Sequence, residues 1–104
     1  MSVSIESTLI LQMSAAYNAH FMQNANAGEA LVHMMEMCNS LHPKLRSVNP
    51  KEVLALLSMG KTFTSRAQLR NFAVDVIVYL VGDVVGSHYS RAELTEATQQ
   101  KITS

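Results

Sequence analysis

Charge is what this sequence has little of. Asp, Glu, Lys and Arg make up 15% of its 104 residues, against roughly 25% in typical soluble proteins. A small lone domain has much surface for its volume and ordinarily covers it with those residues. The shortage implies that part of the surface is covered by another chain, with Ser, Thr, Asn and Gln supplying the remaining polar cover. One cysteine, Cys38, excludes an internal disulfide and fits a reducing compartment. Tryptophan is absent, and no basic run is interleaved with aromatics to stack single-stranded nucleic acid. The four glycines, Gly28, Gly60, Gly82 and Gly86, are scattered. Gly60-Lys61-Thr62 imitates the end of a phosphate loop, but its earlier glycine position is Ala55.

Long apolar runs are missing too. The run at 72–86 is interrupted by Asp75 and Asp83 and is shorter than the roughly 20 residues a membrane span needs. The opening MSVSIESTLILQM lacks a basic region and a clean small-residue cleavage site. The expectation is a cytoplasmic protein without a membrane segment. Catalytic signatures are also lacking. Cys38 has no recognisable nucleophile context, the serines read as helix caps, and no carboxylate pair suits acid–base work. His33, Cys38 and His42 are the one set resembling metal ligands. Positions 33 and 38 lie about 140° apart on an ideal helix, and structural zinc wants four closely paired ligands, so His20 or His88 would have to join from afar. No enzyme, metal, cofactor or small-molecule substrate is expected.

What is present is helix punctuation. Ser90-Arg91-Ala92-Glu93 is a capping box, with Tyr89 and Leu94 at the staple positions. Asn49-Pro50-Lys51-Glu52 offers an N-cap, a proline at N1 and a carboxylate at N3. Ser65 opens another helix, and Gly60 and Gly86 suit C′ positions. These marks, with 3.6-residue apolar spacing, predict helices at about 5–23, 27–41, 50–59, 66–85 and 91–101. Asn24 to Gly28 is either a short turn or a weak point in one continuous helix. The last helix is polar and is expected to dock only loosely. The chain thus reads as a single all-α domain over 1–104, a small bundle of four to five helices with a long central helix at about 66–85.

That central helix carries two apolar stripes. Leu69, Ala73, Val76, Leu80 and Val84 form one, and Val74, Ile77, Val78, Val81 and Val85 the other. Apolar residues on most sides mark a core helix, or one that also binds another chain. The first stripe is expected to pack on helices one and two. The second, through Val74, Val78, Val81 and Val85, is expected to meet helix three or a second chain, with Gly82 allowing close approach. Met34, Met35 and Met37 cluster in helix two; Met37 falls off its apolar stripe and is the best candidate for an exposed contact.

The few charges are unevenly placed. Residues 1–40 hold Glu6, Glu29 and Glu36 with no Lys or Arg, whereas 41–70 hold Lys44, Arg46, Lys51, Lys61, Arg66 and Arg70 against Glu52 alone. These six are candidates for nucleic-acid or acidic-partner contact. However, the helix after Ser65 carries Val and Ile where a groove reader needs polar groups. The leading expectation is a non-enzymatic interaction protein (a small adaptor, chaperone-like partner or regulator) that self-associates or binds another protein through helix–helix contacts. The alternative is a DNA-associated transcriptional or biofilm and stress regulator using the basic 41–70 segment. Val48-Asn49-Pro50-Lys51, followed by an apolar helix and by Thr64-Ser65 opening another, resembles the small enterobacterial biofilm and acid-resistance regulators of the AriR type. The likeness covers about a third of the chain, mostly cap and aliphatic positions, and implies an all-helical homodimeric regulator.

Overall fold

Helix starts are held by the side chains that the sequence places at them. Asn49 Oδ1 accepts from the amides of Lys51 at 3.0 Å and Glu52 at 3.4 Å. Ser65 Oγ accepts from the Gln68 amide at 3.2 Å. Ser90 and Glu93 form the reciprocal box, each side chain accepting the other's amide at 3.1 Å. Gly86 takes φ +96°, the left-handed conformation that ends a helix most easily with glycine.

The computed structural model describes residues 4–24, 27–59 and 65–102. Among these residues the architecture is all-α, with no strand. The helices are α1 (Ile5–Asn24), α2 (Ala27–Cys38), α3 (Pro50–Ser58), α4 (Arg66–Tyr79) and α5 (Arg91–Gln99). A short 3-10 turn, Pro43–Leu45, precedes α3, and a π-helical segment, Leu80–Gly86, continues α4. The expected C′ position at Gly60 lies outside the described residues. The radius of gyration, 12.7 Å, matches the roughly 13 Å of a compact chain this long.

Helices α1 and α2 are the most extensively packed pair. They fold back on one another, since the rings of His20 and His33 stack with centroids 4.8 Å apart; in one continuous helix those residues would stand about 20 Å apart. From α1 come Leu9, Met13 and Tyr17, and from α2 Leu31, Met34 and Met35, all buried. Leu80 from the central helix meets Met13, Met35 and Cys38 around a small gap in this core.

The long helix departs from the expected regular α-helix at its end. Continuing α geometry from Ile77 and Leu80 would bury Val84. The π-helical segment, closed by i→i+5 bonds, steps five residues from Leu80 to Val85 instead. Val85 is accordingly buried and Val84 half-buried.

The polar last helix docks firmly, contrary to expectation. Leu94, Thr98 and Ile102 recur every four residues and are 4%, 0% and 3% exposed. Thr98 sits in an apolar contact because its hydroxyl donates to the Leu94 carbonyl at 2.8 Å. Leu94 reaches the central helix at Gly82, where an added Cβ would lie 3.1 Å from Leu94 Cδ1. The carbonyls at the end of α5 are taken up by neighbouring side chains. Arg70 Nη2 donates to Gln99 O at 2.7 Å and its Nε to Ile102 O at 3.3 Å, while Asn18 Nδ2 donates to Lys101 O at 2.9 Å. Such partners satisfy the groups every helix leaves open at its C-terminus.

Candidate interaction surfaces

The valines expected to face a second chain lie inside this one. Val74, Val78, Val81 and Val85 are 1%, 3%, 0% and 7% exposed, so the reading of that stripe as a docking face is corrected. At Val78 the cover is α5 and the 87–89 segment, since Val78, Gly82, Tyr89 and Leu94 line one shared cavity of about 130 Å³; the segment that carries Val85 packs against the 43–45 turn. Three buried positions, Leu94, Thr98 and Ile102 just past the end of this otherwise polar helix, suffice to dock it, because they share one face.

Met37 is exposed, as its position off the stripe implied. Its sulfur is turned toward α1, with Sδ 3.0 Å from His20 Nε2. Cys38 is buried, and burial pushes its thiol up to about 11, which keeps it protonated and unreactive near neutrality. His42 Nδ1 accepts the Lys44 amide at 3.1 Å. The set His33, Cys38 and His42 is therefore not assembled. Among the described residues, no group of three or more His, Cys, Asp or Glu side chains is placed to hold a metal ion.

The basic candidates are dispersed. Lys44 Nζ donates to the Val85 carbonyl at 3.1 Å, at the far end of the central helix. Arg66, at its start, lies over the Phe21 ring at 4.9 Å from the centroid, a cation–π contact. Nineteen residues of helix, roughly 28 Å, separate these two anchors. Arg70 holds the end of α5. Arg46 and Lys51 are exposed, and Lys61 lies outside the described residues. Three of the six charges thus serve internal contacts, two at helix C-termini, where a cation is favourable, and they do not form one patch.

A surface that the segment-by-segment charge reading missed runs along α1. Among Asp, Glu, Lys and Arg, this helix carries Glu6 alone, and Glu6 is buried at 7% exposure. The side turned to solvent presents Ile5, Leu11, Gln12, Ala15, Ala19 and Met22. Leu11 and Met22 are 53% and 76% exposed. The signal was in the sequence: no Lys, Arg, Asp or Glu occurs between Glu6 and Glu29. Near the start of α1, a cleft of about 230 Å³ opens toward α5 between Glu6, Ile10, Tyr89 and Glu93. Glu93 is engaged there in the capping box, whose hydrogen bonds from the Ser90 backbone and side chain hold its carboxyl below the usual range.

No protein-family model, curated protein or solved structure matches this chain. The resemblance seen around 48–65 accordingly carries no further argument. No described helix is long and apolar enough to cross a membrane.

Proposed function

We propose that this chain is a non-enzymatic interaction protein working by helix-to-helix contact, with the outer side of α1 as its contact face and a second copy of itself as the partner. The observation that carries this reading is the lack of charge on that face. A solvent-facing helix normally carries Lys and Glu on its outer side, whereas here Leu11 and Met22 stand among Gln12, Ala15 and Ala19. In a two-fold dimer the same patch meets itself, and like charges facing each other would oppose contact. An uncharged face escapes that repulsion. Ala15 and Ala19 are one turn apart on the same side of the helix, and their small side chains let two backbones approach.

The association is weak. Covering the exposed parts of Ile5, Leu11 and Met22 contributes about 1–2 kcal/mol each, doubled by symmetry. That gain is offset largely by the roughly 4–15 kcal/mol lost in association. At most roughly 8 kcal/mol remains, which places the dissociation constant at about a micromolar or weaker.

Sedimentation equilibrium over a micromolar-to-millimolar series tests the proposal. Wild type should pass from monomer to dimer. Leu11→Glu and Ala19→Glu should remain monomeric with unchanged helical circular dichroism. A wild type that is monomeric throughout, or a Leu11→Glu variant that associates equally well, would overturn it.

A further inference from the structure

The hairpin of α1 and α2 brings together three side chains that share a soft-metal chemistry. His33 and Met37 are four residues apart on α2, one helical turn, and therefore on one face. Side chains on a helix lean toward its N-terminus, which directs the Met37 thioether back over His33. His20 enters from α1. Its ring stacks on His33 with centroids 4.8 Å apart and planes 20° from parallel, and its Nε2 lies 3.0 Å from Met37 Sδ.

From this juxtaposition we propose that His20, His33 and Met37 form a binding site for one monovalent copper ion, Cu(I). The chemistry of the donor set selects that ion. Thioether sulfur is a soft ligand that favours Cu(I), and imidazole suits copper as well. Zinc sites are built from cysteine, histidine and carboxylate, so a thioether in the set disfavours zinc. All three ligands bind as neutral donors, which suits a singly charged ion. His33 Nδ1 faces Glu36 Oε2 at 3.9 Å, which leaves His33 Nε2 for the metal and sets a carboxylate beside the added charge. At that distance the carboxylate acts through its charge and makes no hydrogen bond to the ring.

Loading the site requires the His20–His33 stack to open, because stacked rings hold their in-plane lone pairs in separate, nearly parallel planes. Taking zinc's bonds of roughly 2.0 Å to imidazole and 2.3 Å to thiolate as a guide, a three-coordinate centre holds its N and S about 3.7 Å apart. The His20–Met37 pair must open by less than an ångström, and one imidazole must turn about its own side-chain bonds. Met37 is 59% exposed and His33 is exposed too, so both have that freedom and the ion has an open approach. The site lies on the side of α1 that meets α2, and it does not depend on the outer face proposed for dimerisation.

Anaerobic titration of the full chain with Cu(I), in competition with a chromogenic Cu(I) chelator, tests the site. The buried Cys38 thiol is the obvious competing ligand, so each measurement is repeated in a Cys38→Ser background. Expected are one Cu(I) per chain in both backgrounds and a loss of at least tenfold in affinity for each of Met37→Leu, His33→Gln and His20→Gln. Circular dichroism should stay unchanged, and no Zn(II) should bind at the same concentration. Silver(I), a redox-inert ion of like softness, should shift the Met37 methyl resonance. Copper binding that vanishes in Cys38→Ser would place the ion on the thiol and overturn the site. So would affinity that the three substitutions leave unchanged, or Zn(II) binding as tightly as Cu(I).

Discussion

Val78→Asp separates the two explanations of the apolar excess on the central helix. If α5 covers the second stripe, the substitution damages the isolated chain; if another chain covered it, the dilute monomer would tolerate the change. Val78 is 3% exposed, so losing its burial costs about 1.5–3 kcal/mol. A carboxyl with no partner there costs roughly 2–5 kcal/mol more. Together these approach or exceed the lower part of the roughly 5–15 kcal/mol by which domains are stable. Dilute Val78→Asp is therefore expected to be largely unfolded. Val78→Ala loses the smaller part, about 2 kcal/mol, and should fold with a lower urea midpoint. Asn71→Asp, on the exposed side of α4, should stay within about 0.5 kcal/mol of wild type. Urea titrations followed by circular dichroism, well below the association range, read all three. A dilute Val78→Asp protein with the wild-type midpoint would refute the argument that α5 seals this face.

Two further outcomes follow from titrating groups. The Cys38 thiol, ordinarily near 9.0, is raised to about 11 by burial. The unfolded chain thus loses this proton first, and the contribution to stability is complete below about pH 9 and lost as pH rises through about 11. Urea midpoints of wild type should fall over that window more than those of Cys38→Ser, and a thiol reagent should label Cys38 only as the chain unfolds. Glu93 has the opposite sign: its carboxyl is lowered by the Ser90 hydrogen bonds. Its support for α5 is present above the ordinary carboxylate range and disappears as pH falls through the lowered value. The Ser90 amide donates to the Glu93 carboxylate, so its protection factor against hydrogen exchange should fall in acid, and Glu93→Gln should flatten that dependence.

Much of the fold was legible because helix ends are encoded locally. Asn49, Ser65, Ser90 and Gly86 each act within a few residues of themselves, and each does what its type and position imply. The docking of α5 was not legible, because overall polarity hid a three-residue face. Leu94, Thr98 and Ile102 are enough when Gly82 lets Leu94 come close and Arg70 and Asn18 satisfy the helix end. The π-helical segment was hidden as well. Valine at both 84 and 85 satisfies either register, and only packing decides which of them enters the core.

The candidate surfaces show the same division between amount and destination. Counting charges along the chain located a basic segment correctly but could not tell where its cations point. Lys44, Arg66 and Arg70 are drawn to the groups their neighbours leave open: a carbonyl, a ring face and a helix end. A chain with few charges that uses three of its eight Lys and Arg in this way has fewer left for its outer surface. The low charge content and the bare outer face of α1 are thus connected. The basic residues anchor the bundle, the one carboxylate of α1 is buried, and the longest helix is left to meet solvent with neutral side chains. The overall shortage of charge is for this reason better read as a property of one helix face than as a deficit spread over the whole surface.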